Sequence, residues 1–209
     1  RSPSGFPVLF HGWIDKADAL AHELGVLQID AARLYGAAVE AWGDQADRRI
    51  IGSYSAAVLL PDNGVRLARS PWSNHTLFYY RDEQALFVSS ITRPIFASGV
   101  RRELDLDAVG RSLAMEMPGD TECVFQGIRQ VPQGSVLTVS DGGERIDRWY
   151  DPNAIPLLRL ESDEAYVEAA NAMLSEAVAA ALRGTQNRCV SLSGGLDSAI
   201  VTDEILRQL

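Results

Sequence analysis

The chain has little cysteine and nothing arranged around it. Cys123 and Cys189 are the only two, far apart, with no Cys-x-x-Cys or Cys/His cluster. That excludes a zinc-finger-type site and a disulfide framework, and it fits a reducing, cytoplasmic setting. No stretch approaches the roughly 18 apolar residues of a membrane span, so no membrane partner is expected. Basic residues are outnumbered, and the net charge of −9 argues against a nucleic-acid-binding surface, which needs clustered Lys and Arg. The opening Arg-Ser-Pro-Ser-Gly-Phe-Pro lacks the basic-then-apolar pattern of a signal peptide. It also lacks an initiator Met, and the expectation is that the native N-terminus lies upstream. There is no internal repeat and no low-complexity tract.

What is present is an ordinary globular composition over 209 residues, enough for one or two domains with a real core. Lys16 to Leu24 reads as a short helix ended by Gly25, and Asp30 caps a second that stops at Gly43. The texture then turns β-like. Tyr54–Leu60 and Val65–Ala68 flank Pro61-Asp62-Asn63-Gly64, Leu77–Tyr80 and Ala85–Val88 flank a polar turn, and Ser135–Val139 and Arg145–Trp149 flank Asp141-Gly142-Gly143. Each is a hairpin signature. Residues 1–150 are therefore expected to form an α+β domain with mostly antiparallel pairing. Residues 151–161 read as a linker, rich in proline. From Ser162 a long helix runs to Gly184, followed by an expected buried strand over Cys189–Leu192, a glycine loop and a helix to Leu209. That order opens a parallel α/β domain, incomplete over 162–209, in which Val190 is expected to be buried.

The sharpest motif is Ser193-Gly194-Gly195-Leu196-Asp197-Ser198. Paired glycines let backbone approach a ligand, and amides at a helix start make an anion site. Ser193 and Ser198 add hydroxyl donors. Asp197 would repel bare phosphate, so it implies Mg²⁺ bridging carboxylate and polyphosphate. The Lys of a Walker A loop is missing, which excludes the usual kinase or GTPase loop.

This hexamer resembles the signature of the ATP-pyrophosphatase superfamily, in which a carboxylate or other oxygen nucleophile attacks the α-phosphate of ATP and pyrophosphate leaves. The resemblance implies that Leu192, Ser193, Gly194, Gly195, Leu196, Asp197 and Ser198 line the nucleotide site, with ATP and Mg²⁺ as cofactors and Asp197 as the metal ligand. The order of the preceding segments resembles asparagine synthetases. Phe10-His11-Gly12-Trp13-Ile14-Asp15 sits where that family has Asn-Gly-Glu-Ile-Tyr-Asn. Leu67-Ala68-Arg69-Ser70-Pro71 resembles its Arg-Asp strand end, and Asp147-Arg148-Trp149-Tyr150-Asp151-Pro152 its closing Tyr-Trp-Asp. The fold implied is a degenerate class II glutamine amidotransferase-like domain of layered antiparallel sheets, followed by the start of an ATP-pyrophosphatase domain.

The departures bear on function. The resemblance calls for an N-terminal Cys nucleophile and for an Asn amide and a Glu carboxylate around glutamine. Here the positions read His11-Gly12-Trp13, so no glutamine hydrolysis is expected. His11 itself is expected to be a partly buried polar residue at a strand end, Cys123 to be structural, and Arg101-Arg102 to be a solvated pair. The reading nearest the degenerate site is an intramolecular amide-forming ligase akin to β-lactam synthetases and lasso peptide cyclases. Its partners would be a carboxylate substrate such as a precursor peptide, a biosynthetic peptidase, and the remaining C-terminal half or a second chain. General-base residues would lie beyond Leu209. The alternatives are a glutamine- or ammonia-dependent asparagine synthetase, or a non-catalytic fragment acting with a partner chain.

Overall fold

The computed structural model describes residues 1–27, 30–116, 119–183 and 187–209. It divides into two compact units, Arg1–Pro152 and Asn153–Leu209.

The first unit opens with β1 (Val8–Ile14), α1 (Ala17–Leu24), α2 (Ala31–Trp42) and the single turn α3 (Ala46–Arg49). Asp30 caps α2 by accepting from the Arg33 amide at 2.8 Å, and α1 stops at Gly25. Strands β2 (Gly52–Leu59) and β3 (Val65–Arg69) follow, then β4 (Phe78–Arg81) and β5 (Leu86–Ser89). The β2–β3 turn uses Asn63 in the left-handed region, with Asp62 accepting from the Gly64 amide at 3.0 Å. Helices α4 (Thr92–Ala97) and α5 (Leu106–Leu113) precede β6 (Arg129–Gln130), β7 (Ser135–Ser140) and β8 (Gly143–Arg148).

The strands form two sheets, ordered β1-β2-β3-β7-β8 and β5-β4-β6, and every ladder is antiparallel. Neighbouring residues of one strand serve opposite faces. Ala68 and Val136 pack with Leu34, Tyr35 and Ala38 of α2. Leu67 and Leu137, one residue away in each strand, pack with Tyr79 of the second sheet and with Leu77 and Val131 beside its strands. The larger sheet is thus covered by helices on one face and by the smaller sheet on the other.

A buried polar cluster fixes the helical side of this arrangement. Asp47 of α3 accepts at Oδ1 from the Tyr35 hydroxyl at 3.0 Å and the Tyr54 hydroxyl at 2.9 Å. Arg66 of β3 donates to its Oδ2, and that pair is buried. One carboxylate thereby ties α2, α3, β2 and β3 together.

The second unit holds α6 (Asp163–Leu182) and α7 (Leu196–Gln208). Ser162 caps α6 by accepting from the Ala165 amide at 3.2 Å, with Asp163 and Glu164 in the first turn. Gly184, where the helix was expected to end, lies outside the described residues. The expected strand over Cys189–Leu192 does not form, and Val190 is 39% exposed instead of buried. A strand is defined by its ladder, and no neighbouring strand is present among the described residues of this unit to supply one. Arg101 and Arg102 are both exposed, as expected of a solvated pair. Arg101 pairs with Glu103 at 2.8 Å, and Arg102 lies over the rings of Phe96 and Phe125 at 5.8 and 5.7 Å.

Replacing Asp47 by Ala should cost about 3–5 kcal/mol in denaturant unfolding, because it leaves the buried Arg66 only the exposed Asp44 at 4.0 Å. Tyr35→Phe and Tyr54→Phe should cost less. Burial, followed by the Asp47 charge, holds both phenols well above their ordinary pKa. The unfolded chain loses these protons near pH 10 whereas the folded one keeps them, so stability should fall as pH rises past about 10. The fall should shrink in the double Phe variant, measured as urea midpoints at pH 8 and pH 11.

Candidate functional site

Two places assemble the chemistry-bearing residues. The first is the end of β1. Gly12 pairs with Tyr54 at φ +123°, and a Cβ there would sit 2.0 Å from the Ser53 carbonyl oxygen. Only glycine fits. His11 and Trp13 flank it on the sheet face away from the helices. His11 is exposed, not partly buried as expected.

Both side chains meet His75, which lies in the loop between β3 and β4. The His11 and His75 rings are 4.1 Å apart, and the Trp13 ring stands perpendicular to His75 at 6.0 Å. The His75 amide donates to Ser73 Oγ at 3.0 Å, which fixes the loop. Burial, then the charges of His11 and Arg69, push the His75 pKa down. Next to this trio, a cleft of about 280 Å³ is lined by His11, Ser55, Ala57, Leu77, Val88 and Ser89, among others. None of its lining residues is a carboxylate. The arrangement offers apolar contact and imidazole, but no counter-charge for an ammonium group. Sequence reasoning singled out His11 and Trp13 and missed His75. Only the fold of β3 and β4 brings it beside β1, and no local pattern signals that.

The second place is the turn into α7. Gly194 takes φ +82°, with open space where a Cβ would be. The chain curls so that Ser193 Oγ and Ser198 Oγ lie 3.1 Å apart. The Ser193 amide donates to Ser198 Oγ at 3.3 Å, and the Gly195 amide to Ser193 Oγ at 3.4 Å. Gly195 precedes the helix without a side-chain cap, leaving first-turn amides of α7 for a ligand, and Asp197 sits in that turn. The curl therefore suits a polyanion, with Asp197 as its own carboxylate. Leu192 is 62% exposed, and Leu196 is exposed too. Among the described residues no three His, Cys, Asp or Glu side chains cluster as a ready cation site. A Mg²⁺ at Asp197 would need phosphate oxygens to complete its shell. Cys123 is partly buried, and burial raises its pKa, the opposite of an activated thiol.

Comparison with known proteins bears on the first unit. The sequence profile of the glutamine amidotransferase domain matches residues 33–150. No curated protein sequence matches the chain. Similar solved structures include the allosteric regulatory enzyme of purine biosynthesis, 16% identical with a TM-score of 0.47, covering 72% of this chain and 30% of that one. Another is glutamine phosphoribosylpyrophosphate amidotransferase from B. subtilis, complexed with ADP and GMP. It is 15% identical with a TM-score of 0.48, covering 97% of this chain and 44% of that one. The chain thus spans less than half the length of either structure. With more than half of its residues inside the family profile, it belongs to the glutamine amidotransferase domain family.

The His75 imidazole should titrate below the ordinary histidine value of about 6.5. His11→Ala removes one of the repelling charges and should move it back up. A two-dimensional NMR titration of the imidazole carbons reads both, and an unchanged His75 in the variant would show that the two rings do not interact electrostatically.

Proposed function

We propose that this glutamine amidotransferase domain serves an ATP-dependent amide-forming ligase of the asparagine-synthetase-like type, in which the Ser193–Ser198 curl holds the pyrophosphate of ATP. The observation that carries the reading is the curl itself. It sets two converging hydroxyls and an open glycine at an uncapped helix start, with a carboxylate in the first turn. A substrate carboxylate would attack the α-phosphate, giving acyl-AMP and pyrophosphate. An amine would then attack the acyl carbon and release AMP. The curl's amides and hydroxyls would stabilise charge on the departing pyrophosphate, the usual way such sites lower a barrier. Asp197 would hold Mg²⁺, which would supply positive charge to neutralise the polyphosphate.

The amine is proposed to come from the substrate itself, as in macrolactam-forming cyclases of the lasso peptide type. His11 and Trp13 support this, because the Asn donor and the carboxylate expected at those positions are absent, and an oxyanion donor is typically worth about 10²–10³ in rate. The second reading, a glutamine-dependent synthetase, is favoured by the family profile over residues 33–150. The two differ in nitrogen source and share the adenylation step.

Asp197→Ala in the intact enzyme should reduce ATP–pyrophosphate exchange by at least about 10²-fold, with the circular dichroism spectrum unchanged. Gly194→Ala should do the same, since φ +82° disfavours any side chain. Exchange retained in both variants would remove the curl from the nucleotide site.

A further inference from the structure

Arg69 ends β3 with its guanidinium inside the first unit, the residue only 7% exposed. All of its partners are neutral. Nη1 donates to the Val131 carbonyl at 3.3 Å and to Gln130 Oε1 at 3.4 Å, and Nη2 to the Ser73 carbonyl at 3.2 Å. Nε has no partner among the described residues. Burial draws the pKa of the group down, and no carboxylate acts to offset it. A buried charge ordinarily has a counter-charge, because neutral dipoles replace its hydration poorly.

The group lines a cleft of about 420 Å³ together with Trp72, Asp120, Gln133, Arg148 and Tyr150. Arg148 contributes a second guanidinium at the wall. Its ion pair with Asp120 is half-exposed on both sides, so water holds it loosely and an incoming anion can compete for it. Two aromatic rings line the same cleft. The Trp72 and Tyr150 rings meet nearly perpendicular at 6.1 Å, and Trp72 is 74% exposed, unusual for a residue of its kind. Two guanidiniums and two aromatic rings on one cleft match a ligand with one charged planar end and one apolar body.

We propose that this cleft binds a small organic carboxylate, its charge set against Arg69 and Arg148 and its apolar part against Trp72 and Tyr150. The assignment is independent of the nucleotide curl and of the His11 cleft. It accounts together for the unneutralised buried cation, its orphan Nε and the exposed indole. A carboxylate suits the site better than phosphate, because phosphate leaves the aromatic wall unused.

The test titrates ¹⁵N-labelled protein with benzoate and follows the Arg69 Nε–H resonance and Trp72 fluorescence. Benzoate should move both saturably, whereas benzamide, of the same shape without the charge, should move neither. Arg148→Ala and Trp72→Ala, both at exposed positions, should each weaken benzoate by roughly tenfold, the size expected for losing one charge-assisted or stacking contact. No saturable shift with benzoate overturns the proposal. So does an equal response to benzamide, which would leave an apolar cleft only. Inorganic phosphate matching benzoate in affinity also overturns it, in favour of a general anion site.

Discussion

The first unit hangs on one buried carboxylate. Asp47 receives hydrogen bonds from two tyrosine hydroxyls and one arginine, each from a different element. Removing it would take the buried carboxylate from a cation and two hydroxyls in the core, leaving Arg66 only the exposed Asp44 at 4.0 Å. Because Tyr35 is on α2 and Tyr54 on β2, the cluster also sets how the helix lies on the larger sheet. Phe10 of β1 stacks on Tyr54 at 5.4 Å and tilts against Tyr35 at 5.7 Å. The register of β1, and so the face on which His11 and Trp13 emerge, follows from this contact.

That placement has a chemical consequence. Strand period forces Phe10 and Ile14 toward the helices and His11 and Trp13 away from them. The residues that emerge on this face are therefore imidazole and indole, packed on His75. The domain keeps the layered fold of its family while this edge presents apolar and weakly basic groups. A scaffold can be retained on fold alone, since packing and site chemistry are carried by different faces of the same strand.

Much of the fold was legible wherever local chemistry decides structure. Asp30 as a cap, Gly25 as a helix end, and Asp62-Asn63 and Asp141-Gly142 as turns can each be read from single residues, and the three hairpins follow from them. Helices α4 and α5 were not read. Asp105 does cap α5, accepting from the Asp107 and Ala108 amides at 3.1 and 3.0 Å, a signal that was available. Strand β6 spans two residues and exists only because β4 pairs with it, so no window of sequence reveals it. The strand expected at Cys189–Leu192 fails for the converse reason: its apolar pattern is local, but a ladder is not. At the sites, the Ser193–Ser198 curl is contiguous and therefore legible. His75 beside His11, and the uncompensated charge of Arg69, are products of tertiary packing.

The reading proposed above is that the amidotransferase fold serves a ligase whose nitrogen comes from an amine other than glutamine's. The most direct measurement incubates the intact protein with amide-¹⁵N glutamine, ATP and Mg²⁺ and follows glutamate and ¹⁵N-ammonia. The account predicts no turnover above the protein-free control. Release of glutamate and ammonia at the rate of a working amidotransferase would contradict it, and would mean that glutamine is held and cleaved in spite of His11 and Trp13.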